Sequence, residues 1–219
     1  MSSTEMKKVS CPTCNHDNEV KIFKTVNATT DPQFRESLLE GKLFSFRCAN
    51  CGYEATLRYP MLYNDMKNRF MVYFIPEIER ERITDEALEA EYGELGDVTR
   101  RIVGSYNELK EKIHIFESGL DDRVIEIAKI AVNAVVAQRT GETVTGGYFS
   151  KYSVAEDTIG FTFFVGEDSE PLVQTTRIEI YEKSVEIANV YDIDQSSRSF
   201  LLINSDWAKN ALYKYKKSK

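Results

Sequence analysis

Four cysteines, the only ones in a chain of 219 residues, fall into two pairs: Cys11-Pro-Thr-Cys14 and Cys48-Ala-Asn-Cys51. A C-x-x-C pair folds readily into a tight knuckle whose backbone N–H groups aim at the sulfurs. Two knuckles that face each other supply the four thiolates of a tetrahedral zinc site. Asn15 and Gly52 follow the two pairs, and both are residue types that easily adopt the left-handed backbone such a knuckle needs. Cys11, Cys14, Cys48 and Cys51 are therefore the expected ligands of a structural Zn2+. Catalytic zinc keeps one coordination position open, and four sulfurs fill all four. His16 is close enough in sequence to replace one sulfur, but reads more simply as an exposed loop histidine. A thioredoxin-like role calls for one C-x-x-C beside a βαβ unit, whereas both pairs here are flanked by strand-like sequence. The polar N-terminus, Met1-Ser-Ser-Thr-Glu-Met-Lys-Lys, has no apolar signal stretch. It argues for a cytoplasmic chain whose thiols stay reduced rather than forming disulfides.

The remaining chemistry-bearing residues are sparse. His16 and His114 are the only histidines, and neither sits in a nucleophile motif. There is no P-loop and no G-x-G-x-x-G, and Gly146-Gly147 reads as a bulge or turn. The best carboxylate group is Asp121, Asp122 and Glu126, the last two four apart on one helix. Acid–base or divalent-metal work would need a second cluster facing them. The simpler reading has the aspartates at a helix N-terminus and Glu126 paired with Lys129. The sequence thus predicts no catalytic residues.

These residues must be positioned by the elements around them. Residues 1–9 read as a flexible tail. Val20, Ile22, Lys24 and Val26 alternate as a strand. Asp31-Pro32 opens a short helix carrying Phe34 and Leu38, closed by Gly41. Leu43, Phe44 and Phe46 lead into the second knuckle, and Tyr53, Ala55, Leu57 and Tyr59 alternate away from it. A turn is expected at Asn64-Asp65, then an apolar strand over Arg69–Ile75, buried on both faces. This is a zinc ribbon with a helical insertion, built onto a larger sheet. Residues 77–97 carry nine acids against Arg80 and Arg82, an acidic linker with one helix near Asp85 to Tyr92.

Ser105-Tyr-Asn-Glu108 is a capping box that opens a helix to about residue 117. A second helix over 121–138 is apolar nearly all round, with Asp122, Glu126, Lys129 and Asn133 as its only polar stripe. Such a helix is covered on most sides, either inside its own domain or at a subunit interface. Strands follow at Tyr148–Val154, Ile159–Val165, Thr176–Ile180 and Phe200–Ile203, with a short helix from Tyr181 to about Val190 and a last one capped by Asn204-Ser205. The chain closes on Lys214, Lys216, Lys217 and Lys219, with Tyr213 and Tyr215 available for base stacking. The plainer reading is a solvated helix end favoured by the dipole.

Composition bounds the answer. Hydrophobic residues make up 42% and charged residues 29%, as in an ordinary globular protein. No apolar run approaches the ~20 residues of a membrane span. The formal charge of −7 argues against a protein whose main task is to grip phosphate backbones.

Several of these motifs together are similar to the CpXC-domain family of bacterial proteins. They are the two C-x-x-C pairs, Leu39-Glu-Gly41-Lys-Leu43, Tyr59-Pro60-Met-Leu62-Tyr63-Asn64-Asp65 and the run from Ser105 to Asp122. The resemblance spans roughly residues 8–130, with Asn15 where the family often has glycine. It implies the zinc site and a bacterial, cytoplasmic setting, and brings no activity with it. The expected architecture is α+β: a zinc-ribbon domain over 1–76, a linker over 77–97, and an α+β domain over 98–219 with a helical pair followed by an antiparallel β-rich part. The expected function is that of a zinc-binding, non-catalytic interaction or scaffold protein that meets a protein partner or itself. The rivals are a nucleic-acid-associated regulator and a carboxylate-dependent enzyme.

Overall fold

The computed structural model of the chain describes residues 1–76, 97–168, 170–190 and 199–219. It is a mixed α+β structure of two compact units, Met1–Leu109 with Arg198–Phe200, and Lys110–Ser197 with Leu201–Lys219. The acidic stretch and its expected helix at 85–92 lie outside the described residues, apart from Asp97.

The first unit is built on a five-stranded sheet. Its strands are β1 (Ser3–Ser10), β2 (Asp17–Asn27), β5 (Met61–Asp65), β6 (Phe70–Phe74) and β7 (Thr99–Val103), in the order β1-β2-β5-β6-β7. β1 and β2 are antiparallel, as are β5 and β6, while β2–β5 and β6–β7 are parallel. Between β2 and β5 the chain forms α1 (Pro32–Leu39) and a small antiparallel hairpin, β3 (Ser45–Arg47) and β4 (Glu54–Thr56). The core holds Val26, Leu38, Phe44, Met61, Tyr63, Phe70, Val72 and Phe74. β6 is buried on both faces as its apolar run requires.

Residues 1–9 are no loose tail: β1 pairs with β2 along its whole length. Its sequence lacks an apolar alternation because cross-strand ion pairs, Lys24–Glu5 at 2.8 Å and Lys8–Asp17 at 2.7 Å, accompany the backbone ladder instead. The expected turn at Asn64-Asp65 moves on by a few residues. Asp65 ends β5, and its carboxylate accepts from Lys67 N and Asn68 N at 3.0 and 3.1 Å. Arg69 then takes the positive φ of 57°. β4 is shorter than the alternation Tyr53–Tyr59 suggested. Strand β7 carries Arg100 and Arg101, both buried, and so had no apolar signature.

The second unit packs α3 (Asp122–Thr140) against an antiparallel sheet of β8 (Val144–Ser153), β9 (Thr158–Val165) and β10 (Glu170–Arg177), in the order β10-β9-β8. Ile125, Ala128, Val132 and Val136 meet Phe149, Ile159, Phe161 and Phe163. Val124 and Ile127 meet a second cluster with Ala188 of α4 (Glu179–Val190) and Trp207, Ala208 and Ala211 of α5 (Ser205–Ser218). The third expected strand ends at Arg177, and Ile180 already lies in α4. Phe200–Ile203 forms no strand; Ile203 is buried in the second unit beside Val124 and Trp207, whereas Phe200 belongs to the first unit, buried with Leu62 and Met71. The register of β8 shifts between Val144 and Gly146, the bulge its glycines suggested. At Gly147 a Cβ would stand 2.6 Å from the Phe163 ring. Gly147→Ala is therefore expected to destabilise the second unit by about 1–3 kcal/mol, readable as a lower urea midpoint.

α2 (Tyr106–Glu117) opens on the predicted capping box: Ser105 Oγ accepts from Glu108 N at 3.2 Å, and Glu108 Oε2 accepts from Ser105 N at 2.9 Å.

Candidate metal centre

The two cysteine knuckles share one backbone pattern. Cys11 N donates to His16 O and Asn15 N to Cys11 O. In the second knuckle Cys48 N donates to Tyr53 O and Gly52 N to Cys48 O. Each closes with a left-handed residue, Asn15 at φ 56° and Gly52 at φ 73°, as the sequence anticipated. The first knuckle joins β1 to β2, and the second joins β3 to β4. Long-range folding therefore sets the two pairs face to face.

All four Sγ atoms lie within 4.8 Å of one another. Cys11–Cys51 and Cys14–Cys48 are each separated by 3.6 Å. A tetrahedron with metal–sulfur bonds of about 2.3 Å has edges of about 3.8 Å, so the sulfurs stand near the spacing that four thiolates around one metal ion need. Zn2+ is one cation of that class, and its chemistry at such a closed site is to cross-link the chain. The surroundings shift individual thiols in opposite directions. The Cys51 backbone N–H, followed by those of Asn50 and the Asn18 amide, brings the Cys48 thiol down to about 6 despite its burial. Cys14 is lowered by the Asn50 side chain and then the His16 N–H. At Cys51 the Tyr53 N–H pulls down, but loss of solvent and the three neighbouring thiols outweigh it and push the group up to about 12.

Asn18 was missed in the sequence. Its buried side chain donates to His16 O at 2.9 Å and to Cys48 Sγ at 3.7 Å, and accepts from Ala49 N at 2.9 Å. One amide thus ties both knuckles together. Its only sequence signal was a polar residue at the start of a strand beside a cysteine pair. Asn18→Ala is expected to weaken metal affinity about 10- to 100-fold, read by chelator competition. His16 is exposed and enters the site only through its backbone.

Residues 9–129, more than half of the chain, match the CpXC protein family. The chain belongs to the CpXC family. No curated protein and no solved structure matches it.

The other predicted cluster behaves differently in this CpXC protein. The polar stripe of α3 faces inward, not outward. Asp122 is 0% and Glu126 3% exposed, and α2 contributes Glu111 and Lys112 at 2% and 1%. Lys112 Nζ reaches Asp122 Oδ2 at 2.9 Å and Glu126 Oε1 at 3.2 Å. Lys129 Nζ reaches Glu111 Oε1 at 2.8 Å and Glu126 Oε1 at 3.1 Å. Glu111 Oε1 also accepts from Phe149 N at 2.6 Å, capping a β8 donor. Asp121 is the true N-cap of α3, accepting from Arg123 N at 2.9 Å. The stripe turns inward because α2 brings countercharges. The apolar residues Ala131, Ala134 and Val135 face solvent instead. Neither the 870 Å³ cavity around Thr140–Thr145 and Val165–Asp168 nor the groove along His16–Lys21 is lined by these carboxylates.

Burial pushes the Glu111 carboxyl up, against the pull of Lys129. Burial also opposes the charge on Lys112 and Lys129. Asp122, Glu126 and Glu111 outweigh it at Lys112, and Glu111 and Glu126 do so at Lys129, leaving both ammonium groups raised. A raised lysine contributes stability that is complete below its unfolded value of about 10.4 and lost as pH climbs through the folded value. The contribution of these two lysines is thus expected to persist through neutral pH and to fall away progressively above about pH 10, with Lys112→Met flattening that alkaline limb in pH-resolved denaturation.

At the C-terminus, Lys217 and Lys219 sit 4.5 Å over the rings of Tyr213 and Tyr215, respectively. These cation–π contacts use the aromatic faces that base stacking would need. Among the described residues no helix is long and apolar enough to cross a membrane.

Proposed function

We propose that this CpXC protein binds one Zn2+ through Cys11, Cys14, Cys48 and Cys51 as a structural clasp, making a zinc ribbon of the two knuckles and the β3–β4 hairpin. The carrying observation is the set of four sulfurs within 4.8 Å of one another. In this reading residues 1–76 are the zinc-ribbon domain, residues 77–97 an acidic connector and residues 98–219 the contact-making part, in a bacterial cytoplasm whose reducing pool keeps the thiols available. The role is non-catalytic: a scaffold that meets a protein partner or a second copy of itself. The burial of Asp122 and Glu126 against lysines supports a structural use of those carboxylates, and the exposed apolar strip at Ala131, Ala134 and Val135 (Val135 56% exposed) supports a contact surface.

Native mass spectrometry on protein purified without chelator tests both halves. One zinc per chain in a dimer or higher assembly is the expected result. A metal-free chain that also fails to take up added zinc would end the clasp. A monomer carrying an extra small molecule would turn attention back to an enzyme.

A further inference from the structure

The four sulfurs differ sharply in their access to solvent. Cys11 and Cys48 are buried, Cys14 is half-buried and Cys51 is exposed. The exposed sulfur has a neighbour in reach, since Cys51 Sγ lies 3.6 Å from Cys11 Sγ of the opposite knuckle. We propose that the four-cysteine centre is a peroxide-sensitive switch entered through Cys51, whose oxidation joins it to Cys11 and releases the metal. This rests on the zinc reading above.

The chemistry balances with peroxide as the named oxidant. Ligation in the zinc reading keeps the Cys51 sulfur a thiolate; that sulfur attacks one peroxide oxygen, the O–O bond breaks, hydroxide leaves, and a sulfenic acid remains on Cys51. The Cys11 thiolate then attacks that sulfur and displaces a second hydroxide as the S–S bond forms. Two thiolates lose two electrons in all, and one peroxide becomes two waters after protonation. The site is left with Cys14 and Cys48, one thiolate from each knuckle, half of the donor set a structural zinc needs. The consequence is local. Besides Cys11 and Cys48, Phe46 is the only fully buried member of the apolar cluster around the knuckles. Beyond these the hairpin has only partly buried neighbours, Val9, Val20, Ala55 and Leu57, so oxidation would loosen it and bring Phe46 towards solvent.

The test uses the full-length chain. Its zinc content is measured first, and absence of zinc before any oxidant would count against the zinc reading rather than the switch. Hydrogen peroxide is then added with a chromogenic zinc chelator, a sulfenic-acid trap and peptide mapping. Expected are stoichiometric zinc release, trap on Cys51, a Cys11–Cys51 disulfide, and recovery with thiol reductant and zinc. Cys51→His keeps a Cys3His donor set and is expected to release zinc at least about tenfold more slowly. Should that variant not hold zinc, mapping of the unaltered chain still decides. Zinc retained in excess peroxide, or first oxidation at Cys11, Cys14 or Cys48, overturns the switch.

Discussion

Cys48→Ala in the intact chain is expected to abolish zinc retention and to melt the knuckles with the β3–β4 hairpin, while the five-stranded sheet survives. The contrast comes from what each region buries. The sheet encloses large side chains such as Tyr63, Phe70, Met61 and Met71, each 0% exposed, and stands on its own apolar core. The knuckle region buries two cysteines and Phe46, with only partly buried Val9, Val20, Ala55 and Leu57 around them, too little to offset the entropy of ordering two loops and a hairpin. Metal binding must supply the difference, and structural zinc sites contribute about 10–16 kcal/mol of apparent binding energy at neutral pH. Cys48 is the most telling ligand to remove, because it is buried and receives the N–H groups of its own knuckle. Hydrogen exchange should rise to near-solvent rates across residues 45–56 and stay slow in β5 and β6. Bound zinc with unchanged protection in the variant would refute the clasp.

Lys112→Ala carries the second large effect. The ammonium is shared by Asp122 and Glu126, which are buried with it. Removing one member of a buried ionic set costs about 3–5 kcal/mol, because charge is left in a poorly solvating interior. Denaturant unfolding of the second unit should show that loss. A triple variant, Lys112→Met with Asp122→Asn and Glu126→Gln, should recover much of it, since the penalty lies in the stranded carboxylates. A loss under about 1 kcal/mol for Lys112→Ala, or no recovery in the triple variant, would mean that water or another group already solvates the site.

Local sequence determined those features whose physics is local. The two C-x-x-C pairs, with Asn15 and Gly52 behind them, specify knuckle geometry through a few neighbouring dihedrals. The capping box at Ser105–Glu108 closes within one turn, and Asn204 caps α5 by accepting from Asp206 N and Trp207 N at 3.1 and 3.0 Å. The alternation in Ile159–Val165 announced β9, because one face of that strand fills a core.

Tertiary structure decided the rest. β1 has no apolar face, so only its pairing with β2 makes it a strand. β7 carries two buried arginines, and no periodicity rule reads such a segment as strand. The polar stripe of α3 gave no sign of being buried, because its matching lysine and glutamate sit on another helix. Which side of a nearly apolar helix is buried depends on charges brought from elsewhere in the chain. Asn18 has its role for the same reason: a single amide becomes a link only when two knuckles more than 30 residues apart, as in the bond from Ala49 N, are folded onto it.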